Sequence, residues 1–192
     1  MHTTLNAFDL SAWLGTRAAP LLERWLSAVR GRGNGDPGDG RDELLESFLH
    51  LFVDLLPRCM TPMRAHADPL WNRAAELFGS FAANRGLAAG EVIEEVQILR
   101  ESVIRMMYQD PPGPPTGARG LREVLHFNRL ADRLVTHASV GHTDALFFAL
   151  FQGSGIPEAL SDEVRYELRG QLEEIRSEME SLDRHLRRNG GA

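Results

Sequence analysis

The chain contains no lysine, so its 21 basic residues are all arginine. That excludes every chemistry that needs a side-chain amine, including Schiff bases, pyridoxal phosphate attachment and the phosphate-binding lysine of a P-loop. Cysteine is nearly absent. The single Cys59 has no partner for an intramolecular disulfide, which fits a reducing compartment and makes the cytoplasm the expected location. Long apolar runs are missing too. The longest, Ala145 to Phe151, falls far short of the roughly 20 residues that cross a bilayer, so no membrane partner is expected. Met1 to Leu14 carries Asp9 within its apolar stretch and has no basic start, so it does not read as a secretory signal. Positive charge is in deficit, 21 bases against 27 acids for a net charge of −6. Such a chain gains little from a phosphate backbone, and no nucleic-acid partner is expected.

What remains is an ordinary globular composition, 43% hydrophobic and 25% charged over 192 residues, enough for one domain with a core of its own. Glycine and proline are concentrated in Gly31 to Gly40 and Asp110 to Gly120, which read as flexible loops because neither residue sustains a helix or strand. Elsewhere the apolar residues recur at three and four, the helical interval, with no period-2 run. The expected fold is all-α: an antiparallel helical bundle over residues 1–152, then a long C-terminal helix over 156–189. Whether the bundle is globin-like or simple up-and-down is left open by the pattern.

A short segment near Leu10 leads into a helix from Thr16 to Arg30, with Pro20 in its first turn. A second helix is expected from Arg41 to Leu56, stopped by Pro57. A third runs from Asp68 to Asn84, with Asp68 as N-cap, Pro69 at the first position and Gly86 just past the end. A fourth covers Ala89 to Tyr108, and a fifth Leu121 to Phe151, with Gly141 as a candidate kink. Trp25, Phe48, Phe52, Phe78, Phe81, Val92, Val96, Leu99 and Val103 form the expected core. The stretch from Ala145 to Phe151 is apolar all round and is expected to be buried on every side.

The tail has a different texture. Glu158 to Arg188 is rich in Glu and Arg, and its apolar residues Leu168, Leu172, Ile175, Met179, Leu182 and Leu186 follow a 4, 3, 4, 3, 4 spacing. That narrow seam predicts a parallel two-stranded coiled coil joining two chains into a homodimer. The alternative is a helix folded back on its own bundle.

No catalytic centre is visible, and the chain is read as a non-enzyme with no cofactor. Gly33 to Gly38 matches a dinucleotide-binding glycine pattern on paper, but no strand precedes it and no helix follows in the required way. Glu123 and His126 make one Glu-x-x-His pair, whereas a di-iron bundle needs two such pairs and further carboxylates. His126, His137 and His142 all fall on the fifth helix. His126 and His137 return to one face but stand about 16 Å apart, too far to share a metal. Each alone is a candidate haem ligand or phosphoacceptor, against a reading as a solvated or hydrogen-bonded side chain. Cys59 reads as an inert thiol.

Gly86 to Ile104 reads GLAAGEVIEEVQILRESVI. This resembles the N-terminal sensory domain of RsbR-type co-antagonists of RsbT, also found as an input domain ahead of bacterial sensor histidine kinases. Gly86 stands at that family's turn, Glu95, Leu99 and Arg100 at its Glu, Leu and Arg positions, and Val103 with Ile104 at its aliphatic pair; Val96 replaces an aromatic residue. Leu22 to Leu26, with Trp25, and Leu121 to Val135, with Asn128 and Asp132, are similar to the flanking helices. The family often carries His-Gly and an Arg ahead of the turn, where this chain has Phe78-Gly79 and no matching Arg. The resemblance implies a non-enzymatic regulatory domain of bacterial stress or two-component signalling. Such a domain dimerises and relays a signal through its C-terminal helix to a kinase, STAS or anti-sigma type protein. Two alternatives stand beside it: a globin-like sensor of haem or a small apolar ligand, and a histidine phosphotransfer domain with His137 or His142 as acceptor.

Overall fold

A computed structural model describes residues 9–31, 41–113, 118–151 and 160–189. All secondary structure among them is helical: α1 (Leu10–Thr16), α2 (Ala18–Arg30), α3 (Arg41–Cys59), α4 (Arg64–Asn84), α5 (Ala89–Gln109), α6 (Ala118–Phe151) and α7 (Asp162–Asn189). The Gly33 to Gly38 pattern, and most of the first expected loop, lie outside the described residues. The second loop is shorter than expected, because α6 already begins at Ala118.

Helix boundaries follow local chemistry. The Asp9 carboxylate accepts the Ala12 amide at 2.9 Å and caps α1. Gly86 adopts φ +78°, where a side chain would be strained. That conformation sends the Gly86 amide to the Ala83 carbonyl and the Leu87 amide to Ala82, closing α4 as a Schellman turn. The Glu91 carboxylate accepts the Ala88 amide at 2.7 Å and starts α5.

Two proline expectations need correction. Pro57 lies inside α3, which ends two residues later at Cys59; its missing amide costs the helix one bond, that to the Val53 carbonyl, and the helix stops within the same turn. Pro69 likewise lies inside α4, which starts at Arg64 rather than after Asp68. Asp68 is no cap: its two carboxylate oxygens accept both terminal nitrogens of Arg133 at 2.7 Å each. That two-pronged pair holds α4 to α6.

All nine expected core residues are buried. The middle is aromatic, with Phe52 edge-on to Trp71 and Phe78, and Phe48 stacked on Phe81 at 5.2 Å between centroids. Helix α4 packs on α3, α6 and α7, and most extensively on α6. Two glycines permit that approach. A Cβ on Gly79 would overlap the Ala138 carbonyl, and one on Gly141 would overlap that of Glu76. Gly141 therefore serves close backbone contact within a continuous helix.

The tail is the largest departure. Leu168, Leu172, Ile175 and Met179 are buried within the single chain, and Leu182 is half-buried; the side chain of Leu186 lies outside the described residues. Helix α7 rests on α3 and α4. Arg169 meets Glu43 at 2.9 Å, Arg176 donates to the Ser47 carbonyl at 3.1 Å, and Arg73 meets Glu178 at 2.7 Å. Arg58 takes Asp183 through two nitrogens at 3.1 and 2.6 Å, and this bond to the carboxylate raises the guanidinium pKa further. The seam expected to join two chains is thus occupied by the chain's own helices. The physical reason is that a groove between two helices accepts the same narrow apolar strip that a partner coil would.

Candidate functional site

The motif residues converge on the α4–α5 corner. Glu95 is 5% exposed and pairs with Arg85 at 2.9 Å. Its carbonyl accepts the Trp25 indole N–H at 2.8 Å, so α2 is tied to the same point. Leu99 is in the core. Arg100, one turn further, pairs with Asp132 of α6. These contacts give the motif a structural role: it locks a helical corner to its two neighbours. Arg85, immediately before the turn, is a site residue that the family pattern does not single out. Its position ten residues ahead of Glu95 was the available clue.

The three candidate histidines are separated by the packing. His126 places Nε2 3.0 Å from the Cys59 carbonyl, tying α6 to the end of α3. His142 is buried and places Nε2 2.8 Å from the Leu87 carbonyl. Since a carbonyl only accepts, each ring donates its Nε2 proton, which in the neutral imidazole leaves the lone pair on Nδ1. His137 differs. Its Nδ1 lies 2.7 Å from Glu76 Oε1 on α4, its side chain is 28% exposed, and its Nε2 has no hydrogen-bond partner among the described residues. Glu76 could not have been found from sequence, standing 61 residues away on another helix.

Other candidates resolve into structural roles. Glu123 accepts the Leu10 amide at 2.7 Å, helping to start α1. Among the described residues, no three His, Cys, Asp or Glu side chains gather as a metal site would require. Cys59 is fully buried, and desolvation first, then the Asp68 carboxylate, pushes its thiol up to about 12. It is protonated near neutrality and a poor nucleophile.

The feature with an unmet physical demand is the end of α6. Leu146, Phe147, Phe148, Leu150 and Phe151 are 39, 55, 69, 60 and 86% exposed. The expectation that Ala145 to Phe151 is buried on every side is therefore overturned: in this stretch only Ala149 is buried. Further along the same helix, Leu121, Leu125 and Val140 are exposed at 63, 48 and 46%. Contiguous apolar exposure of this kind marks an interaction surface.

Comparison with protein-family models, with curated proteins and with solved structures returned no match to this chain. No helix among the described residues is long and apolar enough to cross a membrane.

Proposed function

We propose that this chain is a non-enzymatic regulatory module of bacterial stress or two-component signalling, working by protein–protein contact. The observation that carries the reading is the exposed apolar end of α6, which has the chemistry of a docking surface. The likeness of Gly86 to Ile104 to RsbR-type sensory domains supports the same class, with a kinase, STAS or anti-sigma type protein as the output partner. The relay path differs from a zipper on α7. Helix α6 runs unbroken from its exposed end through the α4 crossing at Gly79 and Gly141 to the Arg100–Asp132 pair. A partner gripping the exposed end thereby acts on α4 and α5 together.

The test is complementation. In a strain lacking the chain, wild type is expected to restore the stress response, whereas a Phe148→Glu/Phe151→Glu variant of equal circular dichroism and melting temperature is not. Full restoration by that variant overturns the reading.

A second reading, phosphotransfer, is favoured by one observation, the His137–Glu76 pair. A carboxylate on Nδ1 fixes the tautomer that leaves the Nε2 lone pair free, as a phosphoacceptor needs. Incubation with a phosphorylated receiver domain would give an acid-labile label lost in His137→Gln; absence of label in the wild type ends this reading.

A further inference from the structure

We infer that the exposed side of α6 is covered by α6 of a second copy of this chain, antiparallel and with the two-fold axis at Thr136. The inference rests on the reading of α6 as a docking surface and names its occupant.

The argument begins with spacing. Leu121, Leu125, Asp132, Thr136, Val140, Phe147 and Phe151 are all exposed, and their intervals of four and seven, one and two turns, place them along one side of a helix. The positions are symmetric about Thr136 and the two ends are apolar, while nearer the centre Asp132, held by Arg100, faces Val140. When the helix is laid against a reversed copy of itself, Leu125 falls opposite the partner's Phe147 and Leu121 opposite the partner's Phe151. Apolar ends meet apolar ends, and the small Thr136 meets its own copy at the centre. An isologous contact requires this self-matching pattern, which a face shaped for an unrelated partner has no reason to possess.

Charge follows the same symmetry. Between Arg133 and Phe151 the only charged residue is Asp144, so two copies bring little repulsion. Arg129 and Asp144 are both exposed, and the reversed register sets each Arg129 within one residue of the partner's Asp144, giving two attractive pairs.

Helix α5 adds to the contact. The Leu87–His142 bond before the start of α5 and the Arg100–Asp132 pair further on show α5 antiparallel to α6, so Ile104 and Tyr108, 45 and 89% exposed, lie toward the Leu121 end. There they would flank the incoming phenylalanines. A helix of 34 residues spans about 50 Å, long enough for a contact of the standard size of ~1,600 Å² in total.

The experiment uses the full chain in sedimentation equilibrium across the micromolar range. Wild type is expected to be dimeric, and Phe147→Asp/Phe151→Asp monomeric with unchanged circular dichroism. Arg129→Asp is expected to weaken the dimer at least tenfold by setting like charges together, and Arg129→Asp/Asp144→Arg to restore it. Thr136→Cys is expected to cross-link to its own copy with a short bis-maleimide, while the buried Cys59 stays unlabelled.

A monomeric wild type overturns the inference, including the case in which another segment of the chain covers α6. So does a dimer that neither responds to the charge exchange nor cross-links at position 136. Because complementation by the Phe148→Glu/Phe151→Glu variant is scored separately, a monomer that still loses signalling on that change sinks the second copy alone. Full complementation instead sinks the regulatory reading.

Discussion

The apolar faces of α7 and of the end of α6 exchange the places their sequences suggest. The α7 seam has the spacing of an inter-chain zipper yet is interior, whereas the last turns of α6 have the composition of an interior helix yet face outward. Hydrophobic pattern specifies how much surface must leave water and along which stripe. It does not specify whose atoms replace the water. A two-helix groove and a partner helix satisfy a narrow seam equally, and an all-round apolar turn is satisfied by a core or by another molecule.

Matched charge insertions break this comparison most sharply. Ile175→Asp, at a fully buried position, is expected to lower stability by about 4 kcal/mol, through lost packing and an unpaired charge. Circular dichroism melts would show whether α7 detaches or the whole chain unfolds. Had α7 been an exposed zipper strand, the same change would alter mass and leave the melt of a dilute monomer unmoved. Next in size is Gly141→Val, which sets the anchored middle of α6 against its free end. Overlap with the Glu76 carbonyl forces α4 and α6 apart, at a cost of about 3 kcal/mol by urea unfolding.

A pH series gives a smaller effect. The Cys59 thiol moves from 9.0 in the unfolded chain to about 12 when folded. Below pH 9.0 both states hold the proton and nothing is lost. Above it the unfolded state gives up its proton first, so stability falls as pH rises toward about 12. By pH 10 the wild type is expected to have lost about 1 kcal/mol more than Cys59→Ala, relative to each protein at pH 8. Equal slopes would show that the end of α3 admits water. The smallest stability effect belongs to Phe148→Ser, within about 0.5 kcal/mol of wild type when measured on dilute monomer, because the side chain is mostly in water already.

Much of the fold was legible because it rests on local signals. The 3-and-4 spacing located the helices, Gly86 announced its own turn, and the nine core positions followed from the stripes. What escaped depends on contacts distant in sequence. Asp68 before a proline has the local pattern of a cap, and its actual partner, Arg133, lies 65 positions away. The close contact at Gly141 escaped because the backbone of α4 that presses on it cannot be seen in one dimension. Of the candidate site, the histidines could be enumerated, but their different situations arise from a carbonyl on α3, a carbonyl after α4 and a carboxylate on α4. No periodicity encodes those.

The corner at Gly86 has a mechanical consequence. Leu87 gives its amide to α4 and its carbonyl to His142 of α6, while Arg85 beside it grips Glu95 of α5. Three helices are riveted within three consecutive residues. Relative motion of α4, α5 and α6 is therefore expected to be least at this joint and to grow along each helix away from it.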